Sequence, residues 1–71
     1  MSFKEKAGVQ IRNRAGGRFD WFISCGGRVR WGSLAEMRHT AVHVATYGRL
    51  PDRGTYYRDD GSMGHARPVG L

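Results

Sequence analysis

The sequence predicts an α+β domain in which a three-stranded antiparallel sheet is covered on one face by a single α-helix. Three short segments near the amino terminus alternate apolar with polar residues, and a later segment has the periodicity of an amphipathic helix. A chain of 71 residues allows one domain with a small core. It has one cysteine, which excludes an internal disulfide, and its apolar runs are too short for a transmembrane helix. We therefore expect a small cytoplasmic protein without a membrane partner.

The three predicted strands are separated by glycine-rich turns. The first strand lies within Val9 to Arg14, the second within Phe19 to Ser24, and the third within Arg28 to Trp31. Aromatic and β-branched residues at alternate positions are typical of strands with one buried face. We expect residues 1–8 to form an amino-terminal arm and residues 9–50 to form the sheet-plus-helix domain.

The turn between the second and third strands decides which side chains face the helix. A two-residue turn at Gly26-Gly27 pairs Ile23 with Arg30 and places arginines on the apolar face. A three-residue turn that includes Cys25 pairs Ile23 with Val29 instead. A shift of one residue exchanges the two faces of a strand, so we favour the register that keeps apolar side chains together. That register gives an apolar face of Phe19, Trp21, Ile23, Val29 and Trp31, and an opposite face of Asp20, Phe22, Ser24, Arg28 and Arg30.

The helix has clear start and stop signals. Ser33 and Glu36 form a capping-box pattern, which predicts that the helix begins at Leu34. Gly48 supplies a left-handed residue just after Tyr47, where a helix would end. We expect the helix to lie across the Trp21–Trp31 face of the sheet with an apolar stripe of Leu34, Met37, Ala41, Val44 and Ala45.

Residues 51–71 are rich in glycine and show no periodicity. We expect an irregular extension in which the segment 55–57 adds a short edge strand and the chain beyond Asp59 is a flexible tail.

The candidate catalytic and metal-binding residues are few. His39 and His43 are four residues apart on the predicted helix, but the helical wheel places both on the solvent side. Cys25 has no histidine partner nearby in sequence, and Asp59-Asp60 precede a glycine in a segment typical of a turn. We expect no catalytic residue, no metal and no cofactor, and hence a protein that is not an enzyme.

The charge pattern indicates a binding function instead. The net charge is +6, and all of the excess lies within the first 50 residues, where arginines recur at two-residue spacing on the strands. Arginine is suited to phosphate and to guanine edges. Phe22 lies among them on the predicted polar face, either covered by another segment or free to stack on a base. The candidate site residues are Arg12, Arg14, Arg18, Phe22, Arg28 and Arg30.

The order of three strands and a helix resembles the DNA-binding domains of the plant ethylene-response-factor type and the arm-binding domains of tyrosine integrases. The similar residues are Gly8-Val9, Arg12, Arg14, Gly17-Arg18-Phe19, Trp21, Ile23, Arg28-Val29, Gly32-Ser33-Leu34, Ala41 and Ala45. The resemblance implies that the sheet lies in the DNA major groove. It also implies that the strand arginines contact bases and phosphates.

The sequence thus predicts a small nucleic-acid-binding protein that uses an arginine-rich sheet face, with duplex DNA preferred over RNA. The alternative is a small inhibitor or adaptor that docks an arginine and phenylalanine surface on an acidic protein, since both residue types are enriched in protein interfaces. The oligomeric state does not follow from the sequence.

Overall fold

A computed structural model describes residues 8–66 and the backbone of one strand at residues 2–4. The elements in chain order are β1 (Ser2–Lys4), β2 (Gln10–Asn13), β3 (Trp21–Cys25), β4 (Arg28–Gly32), α1 (Leu34–Tyr47), β5 (Thr55–Tyr57) and β6 (Met63–His65). Strands β1 to β4 form an antiparallel sheet in sequential order, and β5 pairs with β6 in a separate two-stranded sheet. The helix contacts β2, β3 and β4 on one side and β5 on another.

The predicted fold class is confirmed, because the three predicted strands pair in sequence order and the helix packs on one face of them. The structure adds β1 to the edge of this sheet, where Phe3 pairs with Ile11. Part of the segment expected as an arm is therefore a strand. Residue 1 and residues 5–7 of that arm lie outside the described residues.

The expected register of the β3–β4 hairpin is wrong. Gly26 and Gly27 form a two-residue turn with φ values of 59° and 78°, so Ile23 pairs with Arg30 rather than with Val29. Positive φ at both central residues fits a type I′ turn, whose twist matches that of the flanking strands. The apolar face therefore retains Ile23 but loses Val29 and Trp31 to the opposite side of the sheet, whereas the arginines of β4 come to lie on the helix side.

The helix begins and ends where the sequence predicts. The Ser33 hydroxyl accepts a hydrogen bond from the Glu36 backbone N–H at 3.1 Å, and the Glu36 carboxylate accepts one from the Ser33 N–H at 2.7 Å. Gly48, at φ 77°, closes the last turn by donating its N–H to the Val44 carbonyl. Local capping at both ends thus sets where α1 begins and ends. The buried apolar core, to which the helix contributes Met37 and Ala41, also contains Ile11, Ile23 and Leu50.

The segment expected to be irregular contains a second hairpin. Strands β5 and β6 pair antiparallel, and the hairpin packs on α1 through Tyr57, whose ring lies 5.6 Å from that of His43. The tail expected beyond Asp59 is therefore ordered as far as Ala66, whereas residues 67–71 lie outside the described part of the chain. No helix in that described part is long and apolar enough to cross a membrane.

Candidate nucleic-acid interface

No described element covers the side of the sheet that faces away from α1. Side chains alternate along a strand, so the buried Ile11 and Ile23 face the helix, and their neighbours Arg12 and Phe22 face the other way. Trp31 pairs with Phe22 and points to the same side. We call this surface the open face. It comprises Gln10, Arg12, Arg14, Phe22, Ser24, Val29 and Trp31.

An aromatic pair lies at the centre of the open face. The ring centroids of Phe22 and Trp31 are 4.7 Å apart, and the two planes are tilted by 38°. Trp31 is 44% exposed and its strand neighbour Val29 is 47% exposed. A small domain gains stability by burying such groups, and exposed apolar side chains on one continuous surface are typical of contact sites.

Two arginines flank the aromatic pair. The guanidinium of Arg12 is held by Gln10, whose side-chain oxygen accepts a hydrogen bond from it at 2.7 Å. The guanidinium carbon of Arg14 lies 5.9 Å from the centre of the Trp31 ring, within cation–π distance. Neither arginine forms an ion pair with a carboxylate of the described residues.

A shallow cavity lies beside the aromatic pair. Its volume is about 280 Å³, and its lining residues are Gln10, Arg12, Phe22 and Ser24. Within residues 8–66 no carboxylate lines it. The acid nearest in sequence to Phe22 is Asp20, whose carboxylate accepts the backbone N–H of Gly17 at 3.0 Å.

The structure places three of the predicted site residues together. Phe22 faces the same side as Arg12 and Arg14, as expected, and its ring packs against that of Trp31 on the neighbouring strand. Sequence reasoning missed Trp31 because the expected register placed it in the core. The signal that could have found it was the Gly26-Gly27 pair, which is itself a typical two-residue hairpin turn.

Arg28 and Arg30 do not belong to the open face, which corrects their predicted placement. They lie on the helix side of β4 and donate to backbone carbonyls of the segment that follows α1. Arg28 donates to Pro51 at 3.2 Å, and Arg30 donates to Pro51 at 3.0 Å, to Asp52 at 3.2 Å and to Thr55. Burial lowers the pKa of Arg30 from its ordinary value, and the positive charge of Arg28 lowers it further.

The remaining candidate, Arg18, lies in the turn between β2 and β3. Its guanidinium carbon is 5.4 Å from the centre of the Phe19 ring, and Phe19 is 61% exposed. Arg18 and Phe19 thus form an exposed pair of a cation and an aromatic ring outside the strands, which makes them useful controls for the open face.

The helix histidines are half-buried rather than solvated. His39 donates from Nε2 to the carbonyl of Asp59 at 3.2 Å, and His43 Nδ1 lies 2.7 Å from the hydroxyl oxygen of Tyr57. The β5–β6 hairpin, unseen in the sequence, covers this side of α1. Within residues 8–66 no three His, Cys, Asp or Glu side chains are grouped so that they could hold a metal ion.

The hydrogen bonds of the acidic pair are structural. Asp59 accepts a hydrogen bond from the Ser33 hydroxyl, which ties the start of α1 to the hairpin. Asp60 accepts the hydroxyl of Ser62 at 2.7 Å and its backbone N–H at 2.9 Å, and these bonds lower the pKa of the Asp60 carboxyl. Both carboxylates thus serve the hairpin and its contact with α1.

Comparison with known proteins identifies no relative of this chain. The chain matches no protein-family model, no curated protein and no solved structure. The resemblance to sheet-based DNA-binding domains therefore stays a prediction, and the assignment of a function depends on the open face itself.

Proposed function

We propose that this protein binds nucleic acid through the open face, with bases stacked on the Phe22–Trp31 pair and phosphates bound by Arg12 and Arg14. The observation that carries the proposal is the pairing of half-buried Phe22 with exposed Trp31, beside two guanidiniums that form no ion pair with a carboxylate of the described residues. Aromatic rings beside a cationic track are the arrangement by which proteins hold single strands without reading their sequence.

The geometry favours a single strand over a duplex. The expectation of duplex binding depended on strand arginines at two-residue spacing along one face. The observed register leaves Arg12 and Arg14 on that face and moves Arg28 and Arg30 to the other side. A base within a duplex is already stacked on its neighbours, whereas an unpaired base can place its ring against Trp31.

The proposal is tested by fluorescence anisotropy with a labelled ten-residue oligothymidylate at low salt. Stacking on an aromatic side chain is worth about 1–3 kcal/mol per base, so Trp31→Ala and Phe22→Ala should each weaken binding roughly 5- to 150-fold. The matched control is Phe19→Ala, which removes an exposed aromatic ring outside the open face. It should bind as the original protein does.

Equal affinity of Trp31→Ala and the original protein would refute the proposal. The adaptor alternative is distinguished by a poly-glutamate peptide, which carries negative charge but no bases. If that peptide binds as tightly as the oligonucleotide and loses affinity equally in Trp31→Ala, the open face is a docking surface for an acidic protein.

A further inference from the structure

A second cationic site lies at the outer edge of β4. A cavity of about 360 Å³ is lined there by Gly27, Arg28, Val29, Arg30 and Arg53. Three of the five lining residues are arginines, and none is acidic. Because β4 is the last strand of its sheet, no further strand of the described residues pairs with this edge.

Two of the three guanidiniums are fixed in place. Arg28 and Arg30 bind the carbonyls of Pro51, Asp52 and Thr55. A guanidinium has five N–H groups, and these bonds use one N–H of Arg28 and three of Arg30. Several donors therefore remain for a ligand in the cavity.

The charges in the cavity are not neutralised within the described residues. No carboxylate of residues 8–66 forms an ion pair with Arg28, Arg30 or Arg53, and Arg53 is exposed. Carbonyl oxygens carry only a partial negative charge. Burial lowers the pKa of Arg30 and the positive charge of Arg28 lowers it further, because like charges raise one another's energy. A bound anion would relieve that repulsion.

We propose that this cavity binds a phosphate group. Planar guanidiniums with free parallel donors match phosphate oxygens in geometry as well as in charge. Val29 belongs both to the cavity and to the open face, and it lies two residues from Trp31, about 7 Å along the strand. The phosphate is therefore either a phosphodiester of a strand stacked on the open face, in which case the inference rests on the proposed function, or a free phosphate.

The first arm of the test uses pyrophosphate alone and follows backbone amide resonances by NMR. Pyrophosphate should shift the amides of Gly27 and Val29, and Arg53→Gln should raise its apparent Kd at least fivefold. Arg53 is the cleaner site to change, since Arg28→Gln also removes the bond to Pro51. The matched control is Arg18→Gln, which removes one exposed charge elsewhere and should stay within twofold of the original protein.

The second arm repeats the titration with the ten-residue oligothymidylate. The cavity binds a phosphodiester if the oligonucleotide shifts the cavity amide resonances and if Arg53→Gln weakens oligonucleotide binding at least fivefold. If pyrophosphate binds while Trp31→Ala leaves oligonucleotide binding unchanged, the cavity binds free phosphate and only the proposed function fails.

The inference is overturned in two cases. In the first, the oligonucleotide binds and depends on Trp31, but Arg53→Gln changes the affinity for neither probe. The proposed function then stands and the phosphate cavity does not. In the second case Arg18→Gln weakens the binding of both probes as much as Arg53→Gln does. The affinity would then depend on the net charge of the protein alone.

Discussion

At the scale of single residues, the two tryptophans have opposite roles. Trp21 faces the helix and packs against the core, whereas Trp31 is 44% exposed on the other side of the sheet. Trp21→Ala should therefore lower the free energy of unfolding by about 3 kcal/mol, and Trp31→Ala by about 1 kcal/mol or less. Urea titration followed by far-UV circular dichroism measures both. If Trp31→Ala unfolds the domain, Trp31 is a core residue, and the register with a three-residue turn is the correct one.

The two tryptophans also show where sequence reasoning fails at this scale. A pattern of alternating residues defines the two faces of each strand. It does not fix the register between neighbouring strands, and so it does not show which of their faces lie on the same side of the sheet. Grouping apolar side chains was the obvious criterion, and it was misleading. Arg30 donates three hydrogen bonds to nearby carbonyls, so an arginine is tolerated on the helix side of an edge strand.

At the scale of elements, the helix and the second hairpin are joined by His43. Its Nδ1 lies 2.7 Å from the Tyr57 hydroxyl oxygen. Burial and the positive charges of Arg49 and Arg30 lower the pKa of His43 from its ordinary value of 6.5, and Asp52 offsets part of that shift. The folded protein therefore binds the histidine proton less readily than the unfolded chain does.

A pH-dependent stability follows from this shift. Because the folded-state pKa lies below 6.5, the contribution of His43 is fully present above pH 6.5 and is lost as the pH falls through the folded-state value. We expect the free energy of unfolding to drop between pH 7 and pH 5, and His43→Gln to remove part of that drop. The control variant His65→Gln changes an exposed histidine of β6 and should show the same drop in stability as the original protein. Identical pH profiles for His43→Gln and the original protein would contradict the assignment.

The elements differ in how far the sequence could predict them. The helix α1 was predicted to the residue, because the Ser33–Glu36 capping box and Gly48 are local signals that do not depend on the rest of the fold. The β5–β6 hairpin was missed except for the possible strand at 55–57. Its strands have three residues each, too few for an alternation pattern, and they are held by contacts with α1.

At the scale of the whole molecule, five of the twelve lysine and arginine residues lie on two surfaces that meet at β4. The open face carries Arg12 and Arg14, and the cavity at the strand edge carries Arg28, Arg30 and Arg53. Val29 lies between them. A single strand of nucleic acid that crosses this edge can contact both surfaces. The number of its phosphates that the protein neutralises therefore shows whether the strand binds one surface or both.

Salt dependence measures that number. Each phosphate neutralised on a single strand contributes about −0.7 to the slope of log affinity against log salt concentration. One phosphate on each of Arg12 and Arg14 predicts a slope of about −1.4, and one further phosphate in the cavity predicts a slope of about −2.1. Anisotropy titrations of the oligothymidylate over a range of salt concentrations give the slope directly. Arg53→Gln should reduce its magnitude by about 0.7 and Arg18→Gln should leave it unchanged, whereas a slope near −1.4 in the original protein would confine the bound strand to the open face.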